Sequence, residues 1–521
     1  MKLLDKYSFG NNSINNAKII LHVILYISIL AELVFFPSWE NVLGCIMMWV
    51  VLKVFCFLFH HNNIVRFPFA FAMYLSMFLY RYLPLPATLL EGKPISYKME
   101  LASTTFFLET ILFFVGSLAF YIASKKRKNN RLQIFLAKQH FFHINANILW
   151  MMGAIGILVR LATFANTTET GDVGGKFLNG LVYFQWAPLV LFFPKLLRLK
   201  DFVNRNYVII YFIFLTILNI ASNSRQSIIA PFFLLVILFC LQLIKSRKNL
   251  TDFISPLKLV LLIIGVNVIL NVFANLSLAM LSTRSIRSDV SKSELFSETL
   301  STLLDSKKMA ELRKGAKKLA STSNGQESYN YAGWTEEYLD NFMLNRYANI
   351  KITDITLYYV NSLGFANINM QKSLENQLWA TFPDPILKIL KVNIDKDEFR
   401  FSRGDKLFAE ATHSPVFAGY RVTSHVADGL ATFGFLYFPV QFLAWITVFY
   451  LLNCFVWIGK NKVYYAPFAL INLFVFVGMF RNANGIIADF SYLLRGFWQS
   501  LFTYFVVFYF CFYTLKIFRL K

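Results

Sequence analysis

The chain has 521 residues, is 56% hydrophobic and 17% aromatic, contains 57 Phe, and carries only 15% charged residues. A soluble protein of this length needs a far more charged surface, and runs of about 18 or more apolar residues recur from end to end, the pattern of bilayer-spanning helices. The net charge of +22 does not point to nucleic acid, because most Lys and Arg fall in short loops between apolar runs, where basic residues set topology.

Residues 1–17 are polar and a full-length apolar run follows, so the first helix, not a cleaved signal peptide, is expected to direct insertion. Twelve spans are expected, at 19–36, 42–59, 67–83, 104–123, 147–164, 177–194, 207–222, 227–244, 259–281, 430–457, 464–480 and 498–515. Alternating sides from a cytoplasmic N-terminus places 23 Lys and Arg in the short inner segments and 7 in the short outer ones. That asymmetry predicts both termini inside. Cys45, Cys56, Cys240, Cys454 and Cys511 all fall within spans, so they are expected to be buried structural thiols and not a disulfide framework or a metal site.

The chain thus divides into a membrane part over 1–281, a large outer loop over 282–429 and a second membrane part over 430–521. The loop holds 19 Lys and Arg against 18 Asp and Glu, and its length exempts it from the charge rule. Stretches such as "SKKMAELRKGAKKLAS" (306–321) and "WTEEYLDNFMLNRYANIKITDITLYYVNSL" (334–363) read as amphipathic helices, with "TSNGQES" (322–328) as a turn. The expected fold is an all-α polytopic membrane protein with a helical cap on the outer membrane face.

Arginine concentrates at the outer ends of spans. Arg225 stands in a short polar break between spans seven and eight, Arg160 in the outer half of span five, Arg481 after span eleven and Arg495 before span twelve. Arg284, Arg287 and Arg421 flank the large loop. A planar guanidinium fork matches phosphate oxygens and stays charged at any relevant pH, so these residues are candidate ligands for a lipid-borne polyanion. Snorkelling to phospholipid headgroups is the simpler alternative for each. At the loop exit, His425 lies four residues after Arg421 and three before Asp428. An imidazole titrates near neutrality and can take a proton from a hydroxyl, and the spacing lets Asp428 share a helix face with the ring and orient it. His413 competes for the base role. Loop aromatics, among them Trp334 and Tyr338, with Glu336 beside them, are candidate glycan contacts.

The break "SNSRQSI", the long loop before the last spans and "SHVADGLATFGFLYF" together resemble the O-antigen polymerase and ligase superfamily. That resemblance implies a metal-independent, inverting, GT-C-like glycosyltransferase of the bacterial inner membrane. Its donor is an oligosaccharide on undecaprenyl pyrophosphate at the periplasmic face. A flippase and a chain-length regulator of the same pathway are implied partners alongside membrane lipids. Arg225 resembles the family's pyrophosphate-binding Arg, and His425 the His that activates the acceptor hydroxyl, with Val426 where an Asn often follows. Arg421, Arg481, Arg160 and Arg495 are further phosphate candidates. The long loop and uneven spans favour a polymerase over a ligase. No cofactor is expected, since no HExxH motif and no Cys/His cluster of ligand spacing is present. The rival class is a transporter or lipid-linked sugar flippase, which would place charges such as Arg160, Glu109 and Glu32 around a central cavity.

Overall fold

The computed structural model describes residues 12–125, 128–162, 180–199, 204–221, 225–247, 275–276, 279–280, 292–312, 329, 334, 339, 341–396, 399, 401–416, 419–459, 462–480 and 485–518. Over these residues the protein is mostly helical. Among them, six helices are long and apolar enough to cross a bilayer: Ser13–Phe35, Trp39–Leu58, Ala102–Ala123, Ser227–Lys245, His425–Asn453 and Ile487–Ile517. This is an all-α membrane architecture, and its outward faces carry the apolar side chains that a bilayer requires.

The first bundle is built from α1 (Asn12–Phe35), α2 (Trp39–Leu58), the short α3 (His61–Arg66), α4 (Pro68–Tyr82), α5 (Pro84–Leu89) and α6 (Ala102–Ala123). Its interior is aromatic. Phe55 stacks on Phe78 at 3.8 Å and Tyr74 on Phe120 at 4.8 Å between ring centres. The Tyr74 hydroxyl meets Ser117 Oγ at 3.1 Å, which satisfies both groups. After α7 (Arg131–Lys138), α8 (Ala146–Ala162) packs along a tight three-residue-per-turn helix, Val182–Phe192. Pro188 lies inside that segment and removes a backbone donor, which disfavours a regular α-helix. A Cβ on Gly156 would collide with the Gln185 backbone, so glycine is what lets the two elements touch. The short α9 (Pro194–Leu197), then α10 (Arg205–Ala221) and α11 (Arg225–Lys245), complete this half.

The loop region contributes α12 (Lys292–Leu304), α13 (Phe342–Tyr347), α14 (Lys351–Leu363), α15 (Ile368–Ala380), α16 (Asp384–Ile389) and α17 (Arg403–Thr412). Next come α18 (His425–Phe433) and, past Gly434–Leu436, α19 (Tyr437–Asn453). A two-stranded antiparallel ribbon, β1 (Val456–Ile458) and β2 (Val463–Tyr465), turns the chain at the far end. The return is made by α20 (Pro467–Ile471) and α21 (Leu473–Val477), and the chain finishes with α22 (Ile487–Ser491), the wide turn Tyr492–Gly496 and α23 (Phe497–Ile517).

Two expected spans take another form, and a third is a shorter helix. The sixth is the tight helix carrying Pro188. The eleventh opens as β2 and continues as two five-residue helices split at Asn472, both packed inside the bundle. The third, α4, has 15 residues. The ninth, 259–281, lies outside the described residues except for 275–276 and 279–280.

Candidate functional site

Ionisable side chains are buried where the loop helices meet the membrane bundle. Arg81 at the end of α4 and Glu109 in α6 form a fully buried ion pair at 2.7 Å. Arg81 also donates to the Glu109 and Met77 carbonyls, both at 2.8 Å. The other Glu109 oxygen accepts from Thr353 Oγ1 of α14 at 2.6 Å, so the pair reaches from the bundle into the loop domain.

Next to it lies His425, the first residue of α18. Ser424 caps that helix, its hydroxyl accepting from the Ala427 amide at 3.0 Å, and this fixes where the helix, and so the His425 backbone, begins. The ring is fully buried, stacked on Phe480 at 5.1 Å and tilted against Trp445 at 6.0 Å. Phe480 carries the Arg81 guanidinium over the ring at 5.4 Å. The carboxylate facing His425 is Asp489 of α22, with Nδ1 to Oδ2 at 3.9 Å. Asp489 is itself held by Gln441 Nε2 at 2.6 Å and Trp445 Nε1 at 2.9 Å.

Asp428 does not orient His425, contrary to the helix-face expectation. Its Oδ1 accepts from Arg403 Nε at 2.8 Å and Nη2 at 2.7 Å, and its Oδ2 accepts from the Ile486 amide at 3.0 Å. Arg403 also reaches Thr432 Oγ1 at 2.7 Å. The preceding Gly485 has φ +64°, and a Cβ there would strike the Asp428 carboxylate, so the close approach requires glycine. Asp428 is therefore the buried partner that joins α17, α18 and the segment before α22.

The remaining candidates are dispersed. His413 caps the C-terminus of α17 in the left-handed conformation and is exposed, outside the buried cluster. Arg421 is partly open, with 28% side-chain exposure. Its Nη1 meets Asp405 Oδ1 at 3.1 Å and its guanidinium lies 4.2 Å from the Phe408 ring centre. Burial pushes the Asp405 carboxyl up, but hydrogen bonds from Ser402 and Arg421 outweigh it and hold the group below the usual range. Trp334 is half-buried, stacked on Tyr359 at 5.2 Å and edge-on to the same Phe408 at 5.9 Å, so a glycan candidate and a phosphate candidate share one ring.

Arg160 donates to Ser227 Oγ at 3.3 Å in the first turn of α11, the helix that Arg225 begins. Arg495 is committed to a tie, Nε to Gln499 Oε1 and Nη1 to the Thr381 carbonyl, both at 2.7 Å. Arg481, Glu336, Tyr338, Arg284 and Arg287 lie outside the described residues, as does the side chain of Arg225. Among the described residues no group of three or more His, Cys, Asp or Glu is placed to hold a metal ion. The chain does carry one Asp-x-Asp spacing, Asp395 and Asp397, and Asp397 is outside the described set.

Arg81, Arg403 and Asp489 are the residues that sequence reasoning missed as site members. For Arg81 and Asp489 the signal is a lone charge at or inside an apolar run, as in "FLYRYLP" and "GIIADFSYLL"; Arg403 stands in the polar stretch "RFSRGD" (400–405), where its neighbours are charged as well. Comparison with protein-family models, curated proteins and solved structures gives no match to this chain.

Proposed function

We propose that the chain is a membrane-embedded, GT-C-like polysaccharide polymerase with twelve spans. It joins undecaprenyl-pyrophosphate-linked oligosaccharide repeat units at the periplasmic face of a bacterial inner membrane by inverting, metal-independent transfer. One observation carries the reading: Arg81, Glu109, Arg403, His425, Asp428 and Asp489 are all buried at the junction of loop and spans. Charges in such surroundings are costly and mark function. The shorter apolar helices Ala146–Ala162, Val182–Phe192 and Arg205–Ile220, with α4, supply further crossings.

In the proposed step an acceptor hydroxyl oxygen attacks the anomeric carbon of the lipid-linked unit, and the bond to the diphosphate breaks. The hydroxyl proton passes to His425, backed by Asp489. The negative charge left on the diphosphate is met by Arg225 and Arg421 at a partly dehydrated boundary, where such stabilisation is strong. A glycosyl diphosphate is already a good leaving group, so no second carboxylic acid is needed. Phe480 and Trp445 cover the imidazole, so this reading requires an acceptor-bound state in which Phe480 leaves the ring face. Base catalysis of this kind contributes typically 10²–10⁴-fold.

A lipid-linked sugar flippase is the second reading, favoured by the Arg81–Glu109 pair between α4 and α6, and a ligase of the same superfamily is the third. Purified protein incubated with lipid-linked oligosaccharide in EDTA separates them. A polymerase yields a ladder of longer chains; Arg225→Ala inserts normally and yields none, and His425→Ala leaves single units. Absence of any ladder from the wild type, or growth that requires a lipid A core acceptor, overturns the proposal.

A further inference from the structure

The β1–β2 ribbon sits where crossing helices end. Trp39–Leu58 runs out into α3, Ala102–Ala123 leads to α7, Ser227–Lys245 stops at Lys245, and His425–Asn453 passes directly into β1. Hydrogen bonds knit these ends together. The Tyr465 hydroxyl donates to the Val65 carbonyl of α3 at 2.9 Å, Asn129 Nδ2 to the Ile458 carbonyl at 2.9 Å, and Gln133 Nε2 of α7 to the Asn453 carbonyl at 3.1 Å. Trp457 and Tyr464 are directly opposite in the ribbon register, so both rings project from one face. With Ala137, Phe142 and His143 they line a cavity of about 170 Å³, room for several water molecules or for one group the size of glycerol.

Among the described residues, the cations at this end have no acid beside them. The segments that meet here, 59–66, 128–146, 193–199, 245–247 and 456–464, contribute Lys and Arg to the described set but not one Asp or Glu. At the loop end the guanidinium groups of Arg81, Arg403 and Arg421 each meet a carboxylate. At the ribbon, cations rest on aromatic faces instead. Arg198, which closes α9 in the left-handed conformation, lies 4.1 Å from the Tyr464 ring centre. Lys245 lies 4.4 Å from the next ring, Tyr465, with its Nζ out of solvent and no hydrogen-bond partner among the described residues. The two like charges are within electrostatic reach of each other. A ring face replaces only part of the hydration a cation loses on burial, so the arrangement favours an anion beside them. Tyr464 joins the two features, since the same ring lines the cavity and carries the guanidinium.

We propose that the ribbon end is a phosphate-binding site. The planar fork of Arg198 meets the phosphate oxygens, the field of Lys245 reinforces it, and the cavity beside Tyr464 takes the neutral remainder of the ligand. Its place at the ends of four spans makes the headgroup of an anionic phospholipid the occupant, since basic pockets between crossing helices suit such headgroups. Inorganic phosphate shares the chemistry and is the other source. The site lies at the opposite end of the molecule from His425, so it stands whether or not the chain is a polymerase.

The test uses the full chain in a neutral detergent, incubated with equal amounts of phosphatidylglycerol and phosphatidylcholine and read by native mass spectrometry. The wild type should retain the anionic lipid about tenfold over the zwitterionic one, and Arg198→Gln with Lys245→Met should bring the two near parity. Arg66→Gln with Lys128→Gln removes the same charge from exposed positions at this end and should leave the preference intact. Equal loss in both pairs would mean a diffuse collar of charge and would overturn the site. Thermal midpoints distinguish the sources: a rise with phosphatidylglycerol alone, the expected result, makes the occupant the headgroup. An equal rise with inorganic phosphate makes it a soluble phosphate, and either rise should vanish in the first pair. Parity of the two lipids in the wild type, with no rise in inorganic phosphate, would refute the proposal. If Lys245→Met fails to fold, Arg198→Gln alone carries the test, and an unchanged preference in that variant sinks it.

Discussion

Arg403 and Asp428 show what a single buried pair does in this molecule. The guanidinium joins α17 to α18, and the same carboxylate receives the Ile486 amide, so three segments converge on one charge balance. Removing one partner of a buried ion pair costs about 3–5 kcal/mol, because the other charge is left uncompensated. Arg403→Leu should therefore lower the thermal midpoint sharply in detergent, whereas Arg403→Leu with Asp428→Leu should recover part of the loss; unchanged unfolding in the single variant would remove this role. Lys351 in α14 gives a pH-dependent counterpart. Burial, aided by Lys98 and opposed by Asp354, lowers its ammonium pKa from 10.5 to about 8. Between those values the unfolded chain keeps a proton that the folded chain has released, so stability rises with pH there. Fluorescence-monitored unfolding should show the wild type gaining stability relative to Lys351→Met from pH 8 to 10; parallel curves would contradict it. The sequence showed His425, Asp428 and Arg421 as neighbours along the chain, but not that Asp428 turns to Arg403 while Asp489, 64 positions beyond His425, faces the ring. Spacing along one helix predicts shared faces. Partners across elements are set by packing that no local pattern encodes.

Among the elements, the long apolar runs were readable because length and composition alone decide whether a helix can cross a bilayer. Shorter pieces were not, because hydropathy averages over the features that break a helix. Pro188 and the meeting of Gln185 with Gly156 make a tight helix of Val182–Phe192, and Asn472 divides α20 from α21. A window average dilutes each of these single residues among the aliphatic and aromatic side chains around it. Gly156→Ala should destabilise the protein by about 1–3 kcal/mol, the usual cost of overpacking a tight contact. Gly180→Ala, where an added Cβ meets nothing within 4 Å, serves as its control. Equal midpoints for the two variants would show that α8 and its partner can part without cost.

For the whole molecule, the loop helices gather at one end and the β1–β2 ribbon turns the chain at the other. The charge asymmetry of the short segments predicts the ribbon on the cytoplasmic side. A membrane-impermeant thiol reagent should label Glu375→Cys in intact spheroplasts and Lys462→Cys only after permeabilisation. Labelling of 462 in intact cells would invert the topology and take the periplasmic reading with it. Phe480 has a consequence at this scale as well. One benzene ring serves as a common wall for a cation anchored in the first bundle and an imidazole anchored in the loop domain. Anything that displaces the Phe480 ring must strip that wall from both at once. The two halves of the protein would then register the same event together, much as two doors hung on one post must move when the post does.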